Sequence, residues 1–435
     1  MNAFNVILDI CKYAALASVI LGAYKYLYWA IGIFKTRIFP PARSNHRYAV
    51  VIAARNEEAV IGNLIDSIKA QDYPEDLVTV FVVADNCNDG TVEVARSKGC
   101  ICYERHDTEH ATKGYALQYL FRQIKKDYSI KAFEGYFIFD SDNLLAPDFI
   151  ARMNESFDAG KKIITSYRAS KNFDSNWISA SYALYWIRTI VSQHRARSVF
   201  DLATRIQGTG YLVSSDLLED GWNYTCLTED RMLSADAVIK GYPITYNEKA
   251  VFYDEQPITL KIAFRQRIRW AKGHLQTFRL CGWKLFKSIF TSKGFHDTFM
   301  SYDMLTICFP KSIFVSFRKI LVWACSIVVI LYGSNDAFKV ASYIAAIGYS
   351  FGKSYLFTSL VSLYLFMTEN KYIPKTSVWK KLWYSLTFPL FDLFGRIAMI
   401  IALFSHVEWK TIPHTIDSSI NEMPGKTKNV KTKQI

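Results

Sequence analysis

At 435 residues the chain has room for one large domain or two smaller ones, and a content of 51% hydrophobic and 15% aromatic residues exceeds what a soluble enzyme needs, which points to membrane segments. The net charge of +13 does not indicate nucleic acid, because the basic residues form no single interleaved patch. They flank apolar runs instead: Lys35, Arg37 and Arg43 follow the first, and Lys371, Lys375, Lys380 and Lys381 precede the last, a placement that suits the positive-inside rule and anionic lipid headgroups. The eight cysteines lack paired spacing and read as reduced apolar fillers; Cys100-x-Cys102 with His106 and His110 has no second pair to complete a zinc site.

Residues from about 4 to 34 are apolar apart from Asp9, Lys12 and Lys25, long enough to span a bilayer of ~30 Å and too long for a cleavable signal, so residues 1–34 are expected to form a transmembrane helix. Basic residues after it put that end in the cytoplasm, and Pro40-Pro41 stiffens the linker.

A βαβαβ series follows. Tyr48 to Ala54 reads as a buried strand, Asn56 as the N-cap of the next helix, and Val60, Ile61, Leu64, Ile65 and Ile68 fall at helical spacing. Val78 to Ala84 is a second strand, running into Asp85 and a turn-rich cap before a helix from Thr91. Cys100 to Glu104 is a third, and Tyr136 to Phe139 a fourth, which ends abruptly in Asp140-Ser141-Asp142-Asn143. Alternation of this kind predicts a doubly wound, mostly parallel sheet with Asp85 and Asp140 at the carboxyl ends of different strands, where ligands sit in open α/β folds. Two carboxylates one residue apart suit Mg²⁺ or Mn²⁺ bridging to a diphosphate, although an isolated Asp-x-Asp is more often a turn. No Gly-x-Gly-x-x-Gly or phosphate loop supports a dinucleotide or ATP site.

From Ser179 to Val199 a helix carrying Arg188, Arg195 and Arg197 is expected to pack on the sheet. Gly208-Thr209-Gly210, Leu227-Thr228-Glu229-Asp230 and Arg265-Gln266-Arg267-Ile268-Arg269-Trp270 come next. Taken singly these are a tight turn, a helix start with acids in its first turn, and a basic amphipathic helix. Residues 284–312 look like interfacial helices. Spans are expected near 313 to 333, 339 to 368 and 382 to 405 within a membrane region of 313–408, with Asp392 and Arg396 paired inside the last. One span before and three after would leave the basic tail, 409–435, outside, unless one segment is re-entrant. From Asn421 this tail is polar, Lys-rich and expected to be disordered.

Jointly and in order, Asp85 in Val-Ala-Asp-Asn-Cys, Asp140-Ser141-Asp142, Thr228-Glu229-Asp230 and Gln266-x-x-Arg269-Trp270 resemble the membrane-embedded family-2 glycosyltransferases, the group of cellulose, chitin, hyaluronan and poly-N-acetylglucosamine synthases. The similarity runs from about Tyr48 to Phe278, with Lys113-Gly114 between the first two motifs and Gly208-Thr209-Gly210 before the third. It implies a GT-A type domain over 35–283, inserted between transmembrane helices and binding a UDP-sugar. By position Asp85 and Glu57 would hold the nucleoside, and Lys113 the base or phosphate. Asp140, Ser141 and Asp142 would serve the nucleotide, with Asp140 and Asp142 on the metal. Asp230, beside Glu229, would be the general base, and Gln266, Arg269 and Trp270, with Gly208 and Thr209, would line the acceptor and diphosphate side.

The chemistry agrees with the residue types. Displacing a sugar from a diphosphate builds charge on the leaving group, which a divalent ion and a cation such as Arg269 stabilise. A carboxylate on the opposite face raises the reactivity of the acceptor hydroxyl, and one base with no nucleophile implies inversion. The leading expectation is a multi-pass plasma-membrane synthase with a cytoplasmic catalytic domain, extending a β-linked polysaccharide processively and secreting it. The alternatives are a transferase adding one sugar to a lipid-linked acceptor and, from another class, a non-catalytic membrane scaffold or channel.

Overall fold

The computed structural model describes residues 20–313 and 337–407, together with 13, 16, 17, 324, 327, 414, 416 and 418–423. In chain order α1 (Tyr24–Phe34) leads to β1 (Tyr48–Ala54), α2 (Glu58–Lys69), β2 (Val78–Asp85), α3 (Thr91–Ser97), β3 (Ile101–Arg105), α4 (Lys113–Asp127), β4 (Gly135–Asp140), β5 (Leu144–Leu145) and α5 (Phe149–Asp158). There follow β6 (Ile163–Ser170), α6 (Trp177–Thr189), α7 (Arg195–Val199), β7 (Tyr211–Ser214), α8 (Glu229–Ile239) and β8 (Ile244–Asp254). The last helices are α9 (Leu260–Thr291), α10 (Phe295–Cys308), α11 (Ala337–Thr368) and α12 (Val378–Phe404).

The strands form one eight-stranded sheet in the order β3-β2-β1-β4-β7-β6-β8-β5. Apolar side chains on both faces force burial from both sides: Tyr136 and Ile138 of β4 join a core with Leu117, Leu120 and Phe121 of α4, while Phe137 and Phe139 join one with Leu64 of α2 and Met153 of α5. The chain winds outward from β1 through β2 to β3, then returns to place β4 on the other side of β1, all in parallel. This reversal opens a crevice at the carboxyl ends of β1 and β4.

The mostly parallel expectation fits this half and needs correction in the other. β7 runs antiparallel to β4 and β6, β6 and β8 are parallel, and β5 is antiparallel to β8, so the sheet is mixed. The reversal has a local cause. The strand begins at the ligand edge, because the preceding loop crosses that edge to place Thr209 on the backbone of Asp140, whose N–H donates to Thr209 Oγ1 at 2.8 Å. Gly210 makes the turn possible with φ of 67°, and a Cβ there would meet the Phe252 ring at 2.3 Å.

Asn56 is not the N-cap of α2; Glu57 is, and Asn56 adopts φ of 57° while its Oδ1 accepts the Asn88 N–H at 2.9 Å. The helix expected over 179–199 is α6 and α7 joined by a π turn at Ile190–His194. α9 runs without a break across residues 283 and 284. Among the described residues only α12 is long and apolar enough to cross a membrane, by length and composition. The expected span at 313–333 lies almost wholly outside the described residues, as do most of 4–19 and the tail beyond 423.

Contacts with the domain run along α12. Lys380 Nζ and Tyr384 Oη reach Asp174 at 2.7 and 2.8 Å near its start, and Lys272 Nζ donates to Ala402 O at 3.1 Å near its end. In the middle Arg188 clasps Asp392 through bonds of 2.5 and 2.9 Å, so the partner is Arg188 rather than the expected Arg396. The spacing suggested a helical pair, but a bidentate guanidinium from a facing helix offers better geometry to a carboxylate.

Candidate active site

The crevice is a cavity lined by residues from the carboxyl ends of β1, β2, β4, β6 and β8, the start of α8 and the first turns of α9. Glu57, Asp85, Lys113, Asp140, Ser141, Asp142, Gly208, Glu229, Asp230, Gln266, Arg269 and Trp270 all line it. Thr209 lies just behind, 1% exposed, bonded to Asp140 and to Asn143. Motifs scattered over more than two hundred residues thus meet in one space.

Several of the acids are neutralised by the protein itself. Asp85 is paired with Arg105 on the neighbouring strand. Asp140 is paired with Lys113, which also donates to Gly208 O at 2.9 Å and lies 3.9 Å from Glu229. Burial alone would raise the Asp140 carboxyl, but the Lys113 ammonium outweighs it and holds the group below its ordinary value. Lys113 opens α4, where Gly114 is required: a Cβ would meet Tyr224 O at 2.3 Å.

Asp142 accepts the Glu255 N–H at 2.9 Å. Asn143 orients two acids at once, donating to Asp254 Oδ1 at 2.9 Å and to Asp142 Oδ1 at 3.4 Å, while Thr209 Oγ1 donates to its carbonyl at 2.5 Å. Asp254 is also held by Arg168, and Gln256 Nε2 donates to it at 2.6 Å; burial still pushes its carboxyl up to about 6. Glu57 accepts from His414, with Nδ1 at 3.0 and 3.1 Å from its oxygens. Burial opposes the imidazolium, yet Asp142 and Glu57 raise His414 to about 10.

Glu229 and Asp230 occupy the first turn of α8, with Thr228 as N-cap, where the helix dipole favours negative charge. Burial nevertheless pushes the Glu229 carboxyl up to about 7 against the pull of Lys113. α9 packs closely here because Gly273 has no side chain; a Cβ would meet Thr228 Oγ1 at 2.5 Å. This brings Gln266, Arg269 and Trp270 to the cavity. Arg269 donates to Leu227 O at 3.5 Å, and Trp270 meets Trp186 and Tyr182 edge-on, with ring centroids 5.5 and 5.8 Å apart.

Asp140 and Asp142 are hard oxygen donors and fit Mg²⁺ or Mn²⁺ in kind. Among the described residues no group of three His, Cys, Asp or Glu side chains is arranged to hold a cation, so such an ion would draw its remaining ligands from diphosphate oxygens and water.

Residues 46–273, about half of the chain, match the family model described as Glycosyltransferase like family 2. The chain belongs to this family. The glycosyltransferase is 25% identical over 246 residues to the beta-monoglucosyldiacylglycerol synthase of Trichormus variabilis, a match covering 53% of this chain and 49% of the relative. It is 23% identical over 287 residues to the poly-beta-1,6-N-acetyl-D-glucosamine synthase of Staphylococcus epidermidis, covering 60% and 66%. The glycosyltransferase therefore spans about half to two thirds of the length of these relatives, which are glycolipid and polysaccharide synthases. Its fold is similar to that of the mannosyltransferase PcManGT from Pyrobaculum calidifontis, solved with GDP-Man and Mn²⁺, with a TM-score of 0.58 at 19% identity over 89% of this chain and 99% of that one.

Sequence reasoning missed several residues of the glycosyltransferase cavity, Arg168 with Asp254, Tyr185, Arg205, Arg231 and His414, and the role of Asn143, buried behind it, as an orienting group. Asp254 carried a usable signal, since Val251-Phe252-Tyr253-Asp254 repeats the pattern of an apolar strand ending in Asp. Nothing near His414 announced that the chain beyond α12 returns to the site.

Proposed function

We propose that the enzyme transfers a sugar, with inversion, from a UDP-sugar to a hydroxyl of a growing β-linked saccharide at the membrane. The observation that carries this reading is the convergence on one cavity of strand-end acids and, across it, the acids of α8 with Gln266, Arg269 and Trp270. Glu57 and Asp85 hold the nucleoside, and Lys113 orders Asp140. Asp140 and Asp142 would hold Mg²⁺ or Mn²⁺, which when bound neutralises charge growing on the leaving diphosphate.

Asp230, with Glu229 beside it in the first turn of α8, is the general base that takes the acceptor proton. Arg269 supplies fixed positive charge to the departing group. Trp270, backed by Trp186 and Tyr182, offers an apolar ring face for a sugar, which anchors the acceptor without demanding one identity. Repeated addition, with the product passed through the membrane helices, is the reading favoured by the likeness to the poly-N-acetylglucosamine synthase. A single addition to a lipid-linked acceptor is the second reading, favoured by the glucosyldiacylglycerol synthases and by the apolar helix α12 beside Arg267.

Full-length protein in detergent, supplied with labelled UDP-sugars and GDP-mannose in the presence of Mg²⁺ or Mn²⁺, tests the reaction. A UDP-sugar is expected to be consumed with release of UDP and formation of a β-linkage. Products longer by many residues support repeated addition, and products longer by one support the second reading. Retention of configuration, or consumption of GDP-mannose alone, would overturn the corresponding part.

A further inference from the structure

At one end of the cavity are cations that no described carboxylate pairs with. Arg205 is only 8% exposed; one terminal nitrogen donates to Tyr185 Oη at 3.2 Å, and its Nε is buried with no hydrogen-bond partner. Arg231, the residue after Asp230, points a terminal nitrogen at His274 Nδ1, 2.8 Å away. Burial and both arginines push His274 down to about 3, so its ring is neutral and accepts that bond. Burial would raise the Tyr185 phenol, yet Arg205 and Arg231 bring it down to about 7, a measure of how positive this end is.

A buried guanidinium without a counter-charge is unfavourable unless an anion completes it, and a planar fork of N–H donors suits phosphate. The donor's diphosphate already has a cation in the reading above, Arg269, whose nearest acids are Glu229, Asp140 and Asp230. The cationic end instead adjoins α12. Arg267 lies 5.6 Å from the Tyr185 ring and donates to Phe391 O of α12 at 2.8 Å, while the outer face of α12 exposes Trp383, Leu386 and Leu390.

We propose that Arg205 and Arg231 form an anion subsite for the phosphate of a lipid-borne acceptor, whose apolar chain lies along α12. This rests on the glycosyl-transfer reading above and adds to it the chemical class of the acceptor's carrier. The phosphate would fix the headgroup so that its reacting hydroxyl faces Asp230.

The test is binding to the full-length protein in detergent, followed by tryptophan fluorescence, with three probes: a polyprenyl phosphate, the uncharged polyprenol, and inorganic phosphate. The lipid phosphate is expected to bind about 10- to 100-fold more tightly than either of the others, the scale of a hydrogen-bonded charge contact. Arg205→Gln and Arg231→Gln are each expected to abolish its advantage over the polyprenol, and Arg205→Lys to keep part of it. Equal binding of phosphate and alcohol in the unaltered protein would overturn the proposal without recourse to any variant. Inorganic phosphate binding as tightly as the lipid phosphate would overturn the lipid source. UDP-sugar binding is measured in parallel. Its absence, with lipid phosphate still bound, would sink the donor reading and leave this site standing, whereas its presence without preference for the lipid phosphate would do the reverse.

Discussion

The two ends of the cavity are built on opposite principles. At the strand ends four acids each have a charged mate: Asp85 has Arg105, Asp140 has Lys113, Asp254 has Arg168, and Glu57 has His414. At the far end Arg205 and Arg231 touch the Tyr185 phenol and the neutral His274 imidazole, and no described carboxylate pairs with either arginine. Pairing of the first kind makes a rigid frame that holds acids in fixed positions, at little net gain in stability. Leaving cations unmatched stores electrostatic demand for a ligand. One end is therefore organised by the chain alone, and the other is completed from outside.

The largest expected effect lies at the boundary between them. Asp230→Asn should lower kcat by about 10²- to 10⁴-fold, the usual worth of a general base, with donor affinity retained; steady-state UDP release with a parallel nucleotide titration checks this, and full turnover would remove Asp230 as the base. Next comes the frame. Arg105→Met strands a buried Asp85 and should cost about 3–5 kcal/mol in unfolding free energy, read by denaturation in detergent.

Glu229 gives a smaller, pH-linked effect. Its carboxyl sits at about 7 in the folded protein, so between its ordinary value and 7 the unfolded chain binds fewer protons. Stability should therefore fall as pH rises through that window, by on the order of 1–3 kcal/mol for this group. Glu229→Gln should flatten the slope between pH 5 and pH 8, and an unchanged slope would show that other groups carry it. The smallest effect is expected at the cationic end: Arg205→Met should leave unfolding within about 1 kcal/mol of the unaltered protein, since no charge partner is stranded. A loss there as large as that of Arg105→Met would erase the contrast between the ends.

Much of the strand-end half could be read from the chain because its determinants are local. A run such as Tyr136-Phe137-Ile138-Phe139 cannot avoid burial on both faces, and an acid placed directly after it must surface at the strand's end. Lys113 and the acids of α8 were found through motif order. The cationic end was illegible for a physical reason: Arg205 and Arg231 are ordinary basic residues until the fold brings them to Tyr185 and His274. The direction of β7 depended on a loop contact to Asp140, and the partner of Asp392 on which helix came to face it. Neither is encoded in periodicity.

Gly395 of α12 leaves the space that Arg267 occupies; a Cβ there would meet its Nη1 at 2.3 Å, and the guanidinium sits 3.5 Å from the Phe391 ring centroid. Arg267 is flanked by Gln266 and followed two residues later by Arg269, so a single side chain links α12 to the stretch of α9 that lines the cavity. With α12 also tied to the domain near both of its ends, any tilt of this helix would be passed through Arg267 to the turn of α9 that carries Gln266 and Arg269.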